Sequence, residues 1–134
     1  MNSELRDKQK KHGLKRFINS FGYSIDGLKY AYRYEQSMLV HMIAATMVIV
    51  VGLIVKLNLI EWLICFILMG LVMATELINT AIEAVVDLTC PKIDPLAKIA
   101  KDTASAAVFV FSVVAFISGM IIFVPNVLDF LATI

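Results

Sequence analysis

Two cysteines, three prolines, six glycines and one tryptophan are spread through 134 residues, and only 17% of positions are charged. Each scarcity removes a class of protein. Cys65 lies within an apolar run and Cys90 beside a proline, with no metal-type cysteine spacing, so neither a disulfide framework nor a thiolate metal site is expected. The glycines form no G-x-x-x-x-G-K-[ST] and no glycine-rich loop, which excludes a backbone cradle for phosphates. The N-terminus is too polar for a signal peptide. A soluble domain is about a quarter charged. This chain is instead 60% hydrophobic, with the excess in long runs, so it reads as an all-α integral membrane protein forming one domain over 1–134.

Net charge is only +1, but its distribution is uneven. Of the 12 Lys and Arg residues, eight precede Ser37: Arg6, Lys8, Lys10, Lys11, Lys15, Arg16, Lys29 and Arg33. A basic arm beside apolar spans is explained by an acidic membrane leaflet, so no nucleic-acid partner is expected.

Residues 1–13 read as a flexible polar stretch. From Leu14 the apolar residues Phe17, Ile18, Phe21, Ile25 and Leu28 recur at helical spacing, with Arg16, Asn19, Asp26 and Lys29 opposite. That pattern predicts an amphipathic surface helix over 14–35. Three membrane-spanning helices follow, over 38–57, 62–88 and 96–124. Lys56 ends the first, "KLNLIEW" makes an exterior turn, and Trp62 suits an interfacial aromatic belt. Pro91 stops the second near Thr89, and Asp94-Pro95 reads as a cap with proline in the first helical turn. Pro125 and Asn126 end the third. Three spans put the N-terminus and the 89–102 loop on one side, with Lys92, Lys98 and Lys101. The positive-inside rule makes that side cytoplasmic, in a multi-pass protein of the cell membrane.

One stretch stands out. "TELINTAIEAVVD", Thr75 to Asp87, carries three carboxylates inside a predicted span. At about 100° per residue, Asn79, Glu83 and Asp87 lie near −60°, −20° and +20° from Glu76, a stripe roughly 16 Å long at 1.5 Å per residue. Such a stripe cannot face lipid, because a carboxylate near the bilayer centre costs at least about 2.5 kcal/mol. The candidate partners within one copy are Lys101, Asp102 and Glu35. Two of these are acids, which points to a divalent cation or shared protons; oxygen ligands of this hardness suit Mg²⁺. Three helices enclose such a stripe poorly, so an oligomer is expected. Three readings stay open on these residues: polar glue between helices, ion or proton conduction, and metal-assisted chemistry on phosphates at the cytoplasmic interface.

"ELINTAIEAVVD" followed by "AKDTASAAV", with "FGYSIDGLKYAYRYE" upstream, resembles the signature of the prokaryotic diacylglycerol kinase family over roughly Leu14 to Pro125. "LIEW" and "IIFVP" are similar to its Gram-positive, undecaprenol-phosphorylating branch. The resemblance implies a homotrimer with active sites shared between subunits, and MgATP-dependent phosphorylation of a lipid alcohol, undecaprenol or else diacylglycerol. It implies Glu76 as catalytic base and Glu35 and Glu83 as metal ligands. Asn79, Asp87, Lys101 and Asp102 match further polar positions of the site. Arg16, Tyr23 and Lys29 match the surface helix, where nucleotide or lipid headgroup is contacted. The branch commonly carries asparagine two residues and arginine four residues after Glu35; here Ser37 and Leu39 stand there. His41 is retained and reads as a helix-packing or interfacial residue rather than a catalyst.

Overall fold

The computed structural model describes residues 14–90, 92 and 94–133. The polar stretch expected over 1–13 lies outside the described residues. Four helices follow one another: α1 (Leu14–Tyr34), α2 (Gln36–Ile54), α3 (Leu59–Thr89) and α4 (Pro95–Ala132). The last three are long and apolar enough to cross a membrane. The chain divides into two units, one ending at Tyr34 and one beginning at Glu35.

Along α1 the apolar face is open: Phe17 and Phe21 make an edge-to-face pair at 5.2 Å, and Ile18 and Ile25 beside them are exposed. Lys29 pairs with Asp26, 3.9 Å away on the polar side. Arg33, in the last turn, suits the negative end of the helix dipole.

In the second unit α3 packs extensively on α4 and less on α2. Buried apolar side chains are few among the described residues; near the α2–α3 turn Leu57, Cys65 and Ile122 form a core flanked by Trp62 and Phe123. Most large apolar side chains remain exposed, among them Phe109, Phe116 and Ile121 on α4. That outward apolar surface is what a bilayer, rather than water, accommodates.

The helix boundaries depart from the sequence expectation in three places, each for a local reason. First, α2 stops at Ile54 rather than Leu57. Lys56 adopts a left-handed φ of 58°, and the Leu57 N–H donates to the Gly52 carbonyl at 3.0 Å, a Schellman closure. Second, α3 begins at Leu59 rather than Trp62, because Asn58 and Glu61 form a capping box. The Asn58 side chain accepts from the Ile60 and Glu61 N–H groups, and Glu61 accepts from the Asn58 N–H at 2.8 Å.

Third, α4 does not end at Pro125 but continues to Ala132. Proline removes the backbone donor that would reach the Ile121 carbonyl, a loss that membrane helices tolerate. Here the Asn126 amide donates to both the Ile122 carbonyl and the Glu61 carboxylate, each at 2.8 Å, and so holds this end of α4 to the start of α3. The opposite end of α4 is as expected. Asp94 is the N-cap, accepting from Leu96 and Ala97 N–H groups at 2.7 and 3.3 Å, with Pro95 in the first turn.

Candidate active site

Because α3 is continuous to Thr89, the spacing of Glu76, Asn79, Glu83 and Asp87 becomes a real face. Burial falls along it. Glu76 is 3% exposed and Asn79 is buried; Glu83 is half-buried, and the Asp87 side chain is 66% exposed. The stripe therefore runs from protein interior to surface.

A buried carboxylate needs compensation. For Glu76 it comes from α2. The Ser37 hydroxyl donates to Glu76 Oε1, and His41 Nε2 lies 3.8 Å from Oε2. Ser37 and His41 are four residues apart on a helix and so share a face. Sequence reasoning missed both as partners of Glu76. The signal was present as the Ser37–His41 spacing, but nothing in the sequence sets the α2–α3 register.

One turn along, the Asn79 amide donates to Glu83 Oε1 at 3.0 Å. Asn79 Oδ1 and Thr80 Oγ1 are buried with no hydrogen-bond partner among the described residues. At the rim, Lys101 Nζ donates to both Asp87 oxygens, at 3.0 and 3.2 Å, and joins α4 to α3. Asp102 does not turn to the stripe; it pairs with Lys98 one turn before it on α4. Glu35 is the single extended residue between α1 and α2, half-buried, and its side chain makes no cap hydrogen bond. Among the described residues no three acids, histidines or cysteines gather closely enough to hold a metal ion. Among the described residues Glu76, Glu83, Asp87 and Asp102 each have a separate partner. Arg16, Tyr23 and Lys29 lie on α1, in the other unit, with Tyr23 72% exposed.

Below the stripe an apolar cavity of about 460 Å³ lies between α2, α3 and α4, lined by Ala45, Val72, Phe116 and Phe123 among others, with His41 on its wall.

Residues 22–123 match the family model for prokaryotic diacylglycerol kinase. The chain belongs to the prokaryotic diacylglycerol kinase family. The match contains every candidate residue named above except Arg16. Among family members, an undecaprenol kinase of Bacillus subtilis (strain 168) is 44% identical over 119 residues, 89% of this chain and 97% of that protein. A diacylglycerol kinase of Helicobacter pylori (strain ATCC 700392 / 26695) is 38% identical over 105 residues, 78% of this chain and 82% of that protein. A diacylglycerol kinase of Escherichia coli (strain K12) is 34% identical over 110 residues, 82% and 90% of the two chains.

Proposed function

We propose that this chain is a membrane lipid kinase that transfers the γ-phosphoryl group of ATP to the hydroxyl of a lipid alcohol, undecaprenol in preference to diacylglycerol. The observation that carries the reading is Glu76, a carboxylate buried at the deep end of a polar stripe, in a chain of this family. The preference for undecaprenol follows the 44% identity to a protein of that name.

A lipid hydroxyl is a weak nucleophile and must lose its proton as it attacks. Glu76 takes that proton. The hydroxyl oxygen forms a bond to the γ-phosphorus while the bond from that phosphorus to the β–γ bridging oxygen breaks, and ADP leaves. The remaining task is alignment and charge neutralisation. Lys101, at the rim, supplies positive charge toward the phosphates, and Asp87 holds its ammonium in place. Asp102 and the α1 residues Arg16, Tyr23 and Lys29 assist nucleotide or headgroup binding.

The donor set fits Mg²⁺. Glu83 and Asn79, joined through the Asn79 amide nitrogen, both carry hard oxygens, and Glu35 would add a carboxylate not committed to its cap. Mg²⁺ characteristically uses one or two carboxylates plus substrate phosphates rather than a closed protein cage. When bound, the ion neutralises phosphate charge. The polar stripe of α3, partly open within one subunit at Glu83 and Asp87, supports association of subunits around it, which we take to be a homotrimer with shared sites. The clustering of basic residues supports a cytoplasmic active-site face.

The test is incubation of the purified protein with γ-labelled ATP, Mg²⁺ and either lipid in mixed micelles, followed by organic extraction. Label in the lipid phase is expected, faster with undecaprenol, and lost in Glu76→Gln while ATP still binds. Label confined to the aqueous phase for wild type overturns the function, and full activity in Glu76→Gln overturns the assignment of the base.

A further inference from the structure

Six of the Ser and Thr hydroxyls on these helices follow one rule. Ser20, Ser24, Thr46, Thr75, Thr89 and Thr103 each donate to the carbonyl four residues earlier. That bond is the ordinary way for a hydroxyl to satisfy itself on an apolar helix. Ser37 departs from the rule. It is the second residue of α2, so no carbonyl four residues earlier exists within its own helix. Its hydroxyl is directed across to α3 and donates to Glu76 Oε1.

Its partner in this contact is His41, one turn further on. The ring lines the apolar cavity on one side and brings Nε2 to 3.8 Å from the other oxygen of the same carboxylate. That separation is too long for a hydrogen bond. One helix therefore addresses both oxygens of Glu76. The carboxylate also stands beside the first turn of α2, where unpaired N–H groups and the positive end of the helix dipole suit a negative charge. Nothing on α3 itself, and no cation from α4, is paired with Glu76 among the described residues.

We propose that Ser37 and His41 are positioning residues for Glu76, a clamp from α2: the Ser37 hydroxyl holds Oε1 and the His41 ring packs near Oε2 without hydrogen-bonding it, so that the rotation of the carboxylate is fixed and Oε2 stays available to take the proton of the lipid hydroxyl. The clamp has this catalytic meaning only under the lipid-kinase reading. It also gives Ser37 a reason. Where related sequences of the undecaprenol-phosphorylating branch commonly carry asparagine, a serine retains the one property the contact requires, a side-chain donor in the first turn of α2. Ser37 itself is exposed apart from this contact, so a larger donor has room.

The test is steady-state kinetics of the full chain in mixed micelles with undecaprenol and MgATP. Ser37→Ala is expected to lower kcat roughly ten- to hundred-fold, the change that follows from losing a hydrogen bond to a charged group. KM for ATP and for lipid should stay within about two-fold, because ground-state binding is untouched. Ser37→Asn and Ser37→Thr, which keep a donor, should stay within about three-fold of wild type. His41→Leu should lower kcat, and His41→Gln should recover most of the loss. In a Glu76→Asp background, where the shortened carboxylate has already left the clamp, Ser37→Ala should add little.

Thermal unfolding in the same detergent separates the clamp from a folding role. If Ser37→Ala does not fold, Ser37→Cys, nearly isosteric with a weaker donor, takes its place with the same expected direction. A wild type that phosphorylates lipid while Ser37→Ala and His41→Leu keep kcat overturns the clamp and leaves the kinase reading intact. Equal losses in Ser37→Ala and Ser37→Asn also overturn it. A wild type without lipid phosphorylation overturns both together.

Discussion

At Gly52, α2 packs closely against Trp62 of α3. A Cβ placed there would meet Trp62 Cη2 at 2.8 Å and both Trp62 Cζ2 and Leu57 Cδ1 at 3.0 Å. Carbon pairs are at their optimum at about 3.5–4.0 Å, so the new methyl overlaps the indole by roughly 0.7 Å or more. The ring has little room to yield, since it stacks on Phe66 with centroids 5.5 Å apart and planes 25° from parallel. Leu57 is held too, through its N–H bond to the Gly52 carbonyl. Overpacking of this kind costs about 1–3 kcal/mol. Against it stands the higher helix propensity of alanine, worth up to about 1 kcal/mol. Gly52→Ala is therefore expected to lose about 1–2 kcal/mol of tertiary stability.

Denaturant titration in detergent micelles, followed by Trp62 fluorescence, measures this directly. The companion variant Trp62→Leu, followed by circular dichroism, should relieve the overlap, so the two substitutions together should cost less than their sum. Lipid-kinase kcat of the folded fraction should not change, because Gly52 lies fifteen residues along α2 from Ser37, about 22 Å at 1.5 Å per residue. A Gly52→Ala protein as stable as wild type, or a loss that persists unchanged with Trp62→Leu, refutes this account of the α2–α3 contact.

Lys101→Met should lower kcat/KM for ATP roughly ten-fold or more by removing a cation from the phosphate side; an unchanged value would make Lys101 only a tie to Asp87. Asp94→Ala should cost about 0.5–2 kcal/mol in the same unfolding experiment, because the first N–H groups of α4 lose their acceptor. Asp94→Ser should restore most of it. Asn126→Leu should cost about 0.6–1.5 kcal/mol by cutting the bond to Glu61, and hydrogen exchange should rise in the last two turns of α4; protection as in wild type would mean that the helix beyond Pro125 is held by other contacts.

Much of the architecture is legible before any coordinates. Three apolar stretches of spanning length, the cap at Asp94-Pro95 and the stop after Thr89 follow from local chemistry, and the helical period alone puts Glu76, Asn79, Glu83 and Asp87 on one face. The boundaries that were misread depend on less conspicuous local signals. Asn58-x-x-Glu61 is a capping box that starts α3 one turn earlier than hydropathy suggests. Lys56 takes a left-handed conformation usually given to glycine, so α2 ends sooner than its apolar run. Pro125 stays inside α4, and Asn126 just after it bonds both its own helix and Glu61, a contact between residues 65 apart in the chain.

The carboxylate stripe itself was determined by the sequence, since side chains at spacings of three and four residues share a helix face whatever surrounds them. Its partners were not. That Glu76 meets Ser37 and His41, that Asp87 meets Lys101 and that Asp102 turns away to Lys98 depend on how far each helix slides and rotates against its neighbours. Those are tertiary variables, set by close packing at points such as Gly52 against Trp62, and no local period encodes them. The sequence determined which helix carries the acids; the tertiary structure decided which side chains answer each one.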